Sequence, residues 1–146
     1  MSISEKFERE AAKRKEAKDD ELLKEKEFSA KSYAMISQLL VDLKKNSQDW
    51  EKIGIKICRE VVSTQYRSFI YLEFRQKWLQ KFWKNINISI SEQDHDIYIV
   101  SLEKHENDKF ISNVEKRVCR DDVEDEIIKF RAEVKDTGPK IFDFWY

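Results

Sequence analysis

Glycine and proline are scarce in this chain, because its 146 residues include only Gly54, Gly138 and Pro139 of these two types. Phosphate-binding loops need several glycines to approach a ligand closely, so the sequence excludes nucleotide sites of the Rossmann and P-loop kinds. With few residues that break a helix, we expect a mostly helical chain joined by polar turns.

Cysteine and histidine are equally sparse, with two of each. Cys58 and Cys119 belong to no CxxC motif or Cys/His cluster, so we expect two reduced thiols and no disulfide. His95 falls in an expected turn and His105 beyond the following strand, which keeps the two imidazoles apart. The sequence therefore predicts no metal site, no cofactor and no catalytic residues.

Long apolar runs are also missing, since none approaches the roughly 20 residues that span a bilayer. The beginning, MSISEKFEREAAKRK, contains many acids and lacks the apolar segment of a secretory signal. We therefore expect a cytoplasmic protein with no membrane partner.

Charge is abundant but unevenly distributed along the chain. Residues 1–27 carry eight cations and nine acids, residues 28–88 eleven cations and five acids, and residues 89–146 nine cations and fifteen acids. The net charge of the middle segment is thus +6 and that of the last segment is −6. Opposite surpluses of this kind favour association between copies, so we predict a homodimer that is sensitive to salt.

Residues 1–27 are so highly charged that we expect a solvated helix or arm, followed by one domain over 28–146. Apolar spacings of three and four predict helices at about 28–45, 50–62, 65–84, 107–120 and 122–135. The last of these also alternates as a strand would, but its acidic start, basic end and following Gly138-Pro139 favour a helix. Alternation of isoleucines with polar residues predicts a β-hairpin at 86–102, and we expect residues 141–146 to add a strand. The expected fold class is α+β and mostly helical.

The most unusual segment is Tyr66 to Lys84, in which seven aromatic residues are interleaved with five cations. Rings that stack on bases and cations that neutralise phosphates are what a nucleic-acid site needs. On a helical projection, however, most rings lie away from the lysine stripe, which favours a core helix. We predict that Phe74, Trp78, Leu79 and Phe82 are buried there. The lysines of that stripe are the candidate interaction residues: Lys77, Lys81 and Lys84.

A second candidate is the acidic cluster that precedes the last expected helix. Acidic side chains at a helix start stabilise the helix dipole and need no partner. They also offer a surface to a basic protein. The members of this cluster are Asp121, Asp122, Glu124, Asp125 and Glu126.

Three functions follow from these features. The first is a non-catalytic cytoplasmic protein that binds another protein as a regulator, inhibitor, immunity factor or assembly factor. The second is nucleic-acid binding through the basic face of a helix at 65–84. The third is a metal-dependent nuclease, suggested by the Glu133-Val134-Lys135 step, although that step requires a central strand where we expect a helix.

Overall fold

Helix α1 (Ile3–Lys44) opens the fold and is one continuous element of 42 residues. The hydroxyl of Ser2 caps it by accepting a hydrogen bond from the backbone N–H of Glu5 at 3.2 Å. Residues 2–27 are exposed, whereas Ile36, Leu40 and Leu43 are buried. The apolar stripe predicted at 28–45 is therefore confirmed, and the charged segment before it extends the same helix.

The computed structural model describes residues 2–64, 67–75 and 81–134 of the chain. A short helix, α2 (Ser47–Lys52), leads from α1 into an antiparallel sheet in the order β1-β3-β4-β5-β6, with β2 paired to β3. A 3-10 turn (Arg120–Asp122) and helix α3 (Val123–Glu133) follow the sheet. The strands are β1 (Ile55–Ile57), β2 (Val62–Ser63), β3 (Ser68–Phe74), β4 (Phe82–Ile90), β5 (Tyr98–Glu106) and β6 (Lys109–Val118).

One face of the sheet is covered by α1 and α3 and holds the core. Even-numbered residues of the central strands point to this covered face, because side chains alternate along a strand. Ile70, Ile88 and Val100 are each fully buried there. The helices supply the other side of the core with Ile36, Leu39, Leu40, Leu43, Val123, Ile127 and Phe130.

The predicted mostly helical architecture with one hairpin is wrong, because in the sequence a six-stranded antiparallel sheet lies between the long helix α1 and the short helix α3. The segment expected to be a central helix at 65–84 contains β3 and the start of β4. Burial alternates strictly along β3, and Phe74 is buried as predicted but in a strand. Phe82 is 44% exposed, so its predicted burial is wrong. Lys77, Trp78 and Leu79 lie outside the described residues.

Two further helices were predicted where strands occur. The expected helix at 50–62 stops at Lys52, because Gly54 takes a φ of 82° that turns the chain into β1. A Cβ atom at Gly54 would lie 3.0 Å from the guanidinium of Arg131, so that side chain would have to shift by a few tenths of an ångström to admit it. The expected helix at 107–120 is β6.

The hairpin predicted at 86–102 is present and comprises the end of β4, the turn and the beginning of β5. The two strands pair without interruption from Phe82–Glu106 to Ile90–Tyr98. In the turn, the carboxylate of Asp94 accepts a hydrogen bond from the backbone N–H of Asp96 at 2.8 Å. Helix α3 confirms the helical interpretation of 122–135. The strand expected at 141–146 lies outside the described residues.

Candidate functional site: the exposed edge of the sheet

Strand β6 forms one edge of the sheet and pairs with β5 alone among the described strands. Nine of its ten residues are exposed and the tenth, Val118, is half-buried. Three exposed residues are large and apolar, namely Phe110 at 54%, Ile111 at 44% and Val114 at 53%. Such an edge combines unpaired backbone hydrogen-bonding groups with apolar side chains, which is the surface that another strand recognises.

A β-bulge interrupts β6 near its beginning. Lys104 lies opposite Ser112 and His105 opposite Phe110, so Ile111 is the extra residue. The strand begins after a turn in which Asn107 takes a φ of 53°. The indole N–H of Trp83 donates a hydrogen bond to the carbonyl of Asn107 and fixes this turn to β4. Beyond the bulge, residues 112–118 pair regularly with β5.

Opposite the covered face, the sheet presents what we call the open face, built from odd-numbered residues of β3, β4 and β5. Asn85 donates to Glu103 at 3.0 Å, and Nε2 of His105 lies 2.6 Å from the Asn85 side-chain oxygen. Trp83 stacks on His105 with ring centroids 3.9 Å apart. These polar groups satisfy one another, so the arrangement ties the strands together.

Glu73 is the exception on the open face, since one of its buried carboxylate oxygens has no hydrogen-bond partner. Burial raises the pKa of this carboxyl, and the attraction of Lys56 opposes that shift. Within the described residues, no group of three or more His, Cys, Asp or Glu side chains could hold a metal ion.

The acidic cluster predicted from sequence lies where β6 leads into α3. Asp121 and Asp122 belong to the 3-10 turn, and Glu124, Asp125 and Glu126 form the first turn of α3. Glu124 pairs with Arg120 at 2.8 Å, and Arg120 also reaches Asp42 of α1 at 3.3 Å. Asp122 accepts a hydrogen bond from the thiol of Cys119 at 3.1 Å. Part of the cluster therefore fixes α3 to the body.

The predicted lysines do not share a helix. Lys81 immediately precedes β4 and Lys84 lies within it, whereas Lys77 is outside the described residues. Phe82 lies between these two lysines in the sequence. Its ring centroid is 5.5 Å from the ammonium group of Lys81 and 5.1 Å from that of Lys104. The structure thus brings Lys104, which sequence reasoning missed, next to two of the predicted residues.

Glu133, the first residue of the suggested nuclease step, is the last residue of α3. That step therefore begins in a helix and lacks the central strand that the nuclease hypothesis requires. Lys135 lies outside the described residues.

A groove of about 1040 Å³ lies between α1 and the end of the sheet near β2. Leu22, Phe28 and Tyr33 line it from the helix, and Ser63 and Ser68 from the strands. Phe28 also stacks on His95, with ring centroids 4.2 Å apart. Two cations and two acids also line the groove, namely Lys24, Lys26, Glu25 and Glu92, so its charged lining favours neither sign.

Comparisons with family models, with curated proteins and with solved structures find no match to this chain. Among the described residues, no helix has both the length and the apolar character needed to cross a membrane.

Proposed function

We propose that this protein acts without catalysis, by binding another protein through the exposed edge strand β6. The observation that carries the proposal is the exposure of nearly the whole ten-residue strand. The strand order supports it, because β6 ends the sheet among the described strands while β5 and β4 are paired on both sides.

Strand addition suits this edge for a physical reason. Alternate residues of an edge strand direct unpaired N–H and C=O groups outward, and an added strand satisfies them with main-chain hydrogen bonds. Side chains of the added strand then lie beside those of β6. On the covered side they meet Val114, and on the open side Glu115 and Arg117.

The partner that fits this edge is a second copy of the chain, paired antiparallel about a two-fold axis. A pairing centred on Val114 places the two valines together and covers a residue that is 53% exposed. It sets Ser112 opposite Lys116 and Asn113 opposite Glu115, so no like charges meet. The five central residues of this pairing, 112–116, also do not include the bulged residue Ile111.

Neighbouring registers are less favourable. A centre on Asn113 brings the bulged Ile111 into the middle of the ladder. A centre on Glu115 sets two carboxylates opposite each other, and a centre on Lys116 sets two ammonium groups opposite each other. Like charges directly opposite are destabilising in a sheet. Val114 is therefore the expected residue on the axis.

Disulfide trapping tests both the pairing and its register. In a Cys119→Ser background, Val114→Cys is expected to cross-link into a dimer under mild oxidation, because opposed Cα atoms lie about 4.5–5.5 Å apart. Glu115→Cys is the matched control on the same strand. In the proposed register, residue 115 of one copy lies opposite residue 113 of the other. The two introduced thiols are therefore offset by two residues along the strands, and their Cα atoms are roughly 8 Å apart, which is too far for a disulfide.

Equal cross-linking rates for Val114→Cys and Glu115→Cys would show random collision and contradict this pairing. Sedimentation equilibrium of the parent chain at low and high salt then separates two modes of association. Strand pairing with an apolar centre predicts a dimer that persists in high salt. The charge surpluses along the sequence predict a dimer that dissociates there.

A further inference from the structure

Two lysines, Lys81 and Lys104, flank the exposed ring of Phe82 at the end of the sheet where β4 begins. Lys84 lies two residues further along β4, and we call Lys81, Phe82, Lys84 and Lys104 the lysine patch. Phe82 is 44% exposed, and Lys81 and Lys104 place their ammonium groups 5.5 and 5.1 Å from its ring centroid. The side chain of Lys81 is itself 64% exposed. The patch therefore offers a solvent-facing ring and positive charge together.

The register explains why these groups meet. Lys84 and Lys104 are directly opposite each other on β4 and β5, and Phe82 is opposite Glu106 two residue pairs further along. Phe82, Lys84, Lys104 and Glu106 point to the same side of the sheet, the side that holds the core further along these strands, because opposed residues share a face and side chains alternate. Glu106 is the acid in this group, and it pairs with Lys81 at 3.1 Å. Glu106 compensates the charge of Lys81, so Lys104 beside Phe82 supplies the positive charge on which the site depends.

We propose that the lysine patch binds single-stranded nucleic acid, with a base stacked on Phe82 and phosphates near the lysines. A single strand alternates planar bases with phosphates, so it uses ring and charge at once. A duplex keeps its bases stacked inside and would use only the charge. This activity goes beyond the protein binding proposed for β6. The patch lies on β5, which is next to β6, and on β4, which is one strand further in, so a strand added at β6 does not cover the patch.

Fluorescence anisotropy of the full chain with a labelled oligothymidine tests the proposal. Binding is expected to weaken with salt at a slope between about −0.7 and −1.4 in log K against log salt, from one or two neutralised phosphates at roughly 0.7 each. Phe82→Leu keeps an apolar side chain without a ring, and we expect affinity to fall about tenfold from the loss of one stacked base. Phe82→Trp is expected to retain binding.

Two substitutions serve as matched controls. Phe7→Leu removes a ring that is 73% exposed on α1, and Lys52→Glu reverses a charge whose side chain is 77% exposed on α2. Both are expected to bind as the parent does, whereas Lys104→Glu is expected to bind at least tenfold more weakly with a shallower salt slope. Circular dichroism confirms that each variant is folded before its affinity is measured.

An abasic oligonucleotide of the same length separates stacking from charge. The parent is expected to bind it about as weakly as Phe82→Leu binds oligothymidine. Three results would overturn the proposal: no salt-dependent binding, equal binding of abasic, duplex and single-stranded probes, or unchanged affinity in Phe82→Leu. Binding of polyglutamate or anionic vesicles as tight as oligothymidine would also overturn it, because that would mark a general cationic surface.

Discussion

Strands β4 and β6 have nearly equal lengths and both carry several large apolar residues, yet their surroundings differ completely. In β4, Ile86 and Ile88 are fully buried under the helices, and both edges of the strand are paired. In β6, Val114 is 53% exposed and one edge is unpaired among the described strands. Position in the sheet, rather than the local pattern, determines which strand is core and which is available to a partner.

The largest expected effect comes from truncating one residue in each strand. Ile88→Ala leaves a cavity in the core and should lower the free energy of unfolding by about 2–5 kcal/mol. Val114→Ala removes exposed methyl groups and should change it by no more than about 0.5 kcal/mol in the monomer. Urea unfolding at low protein concentration measures both. Similar losses in the two variants would mean that β6 is covered within the monomer.

A smaller effect is expected at Arg120, where the chain passes from the edge strand β6 to helix α3. Arg120 joins α3 to α1 through Glu124 and Asp42, and its side chain is 34% exposed. Arg120→Ala should lower the free energy of unfolding by about 1 kcal/mol, because screening by solvent limits such pairs. Arg14→Ala is the control, since the Arg14–Glu10 pair lies on the exposed part of α1 with side chains 78% and 61% exposed. A loss in the control as large as in Arg120→Ala would contradict this assignment.

The smallest expected effect depends on pH and compares Glu73 of β3 with Glu115 of β6. Burial raises the pKa of Glu73 above its ordinary value of 4.5, so the folded state holds this proton more tightly than the unfolded state. Ionisation of Glu73 therefore reduces stability as pH rises through that range. Glu73→Gln should be slightly more stable than the parent at pH 7, and the gain should shrink below about pH 4.

Urea unfolding at the two pH values measures this difference. Glu115→Gln is the exposed control and should show no such pH dependence. A gain for Glu73→Gln that stays constant with pH would show that the charge of Glu73 is not its cause.

The parts of the fold that the sequence predicted correctly are those in which the apolar residues recur with a single spacing. The apolar stripe of Ile36, Leu40 and Leu43 has only helical spacing, and α1 is a helix there. Isoleucines 86, 88 and 90 have only a period of two, and β4 is a strand. In these segments a single buried face controls the pattern.

The errors occurred where both periods fit or where no face is fully buried. Phe110, Val114 and Val118 are spaced by four, which matches one side of a helix and also one side of a strand. Since β6 has no fully buried face, polar residues occur on both sides and hide the alternation. The edge itself could not be predicted, because it depends on strand order. Lys104 likewise joined Lys81 and Phe82 only through the pairing of β5 with β4.

The length of α1 has a consequence for hydrodynamic measurements. Its exposed residues 3–27 extend for roughly 37 Å at about 1.5 Å per residue. A rod of that length adds friction without adding comparable mass, so the Stokes radius will exceed that of a sphere of 17.7 kDa. A monomer will consequently elute early from a sizing column and resemble a dimer. The state of association of this protein has to be determined from mass, by sedimentation equilibrium or light scattering, and not from elution volume.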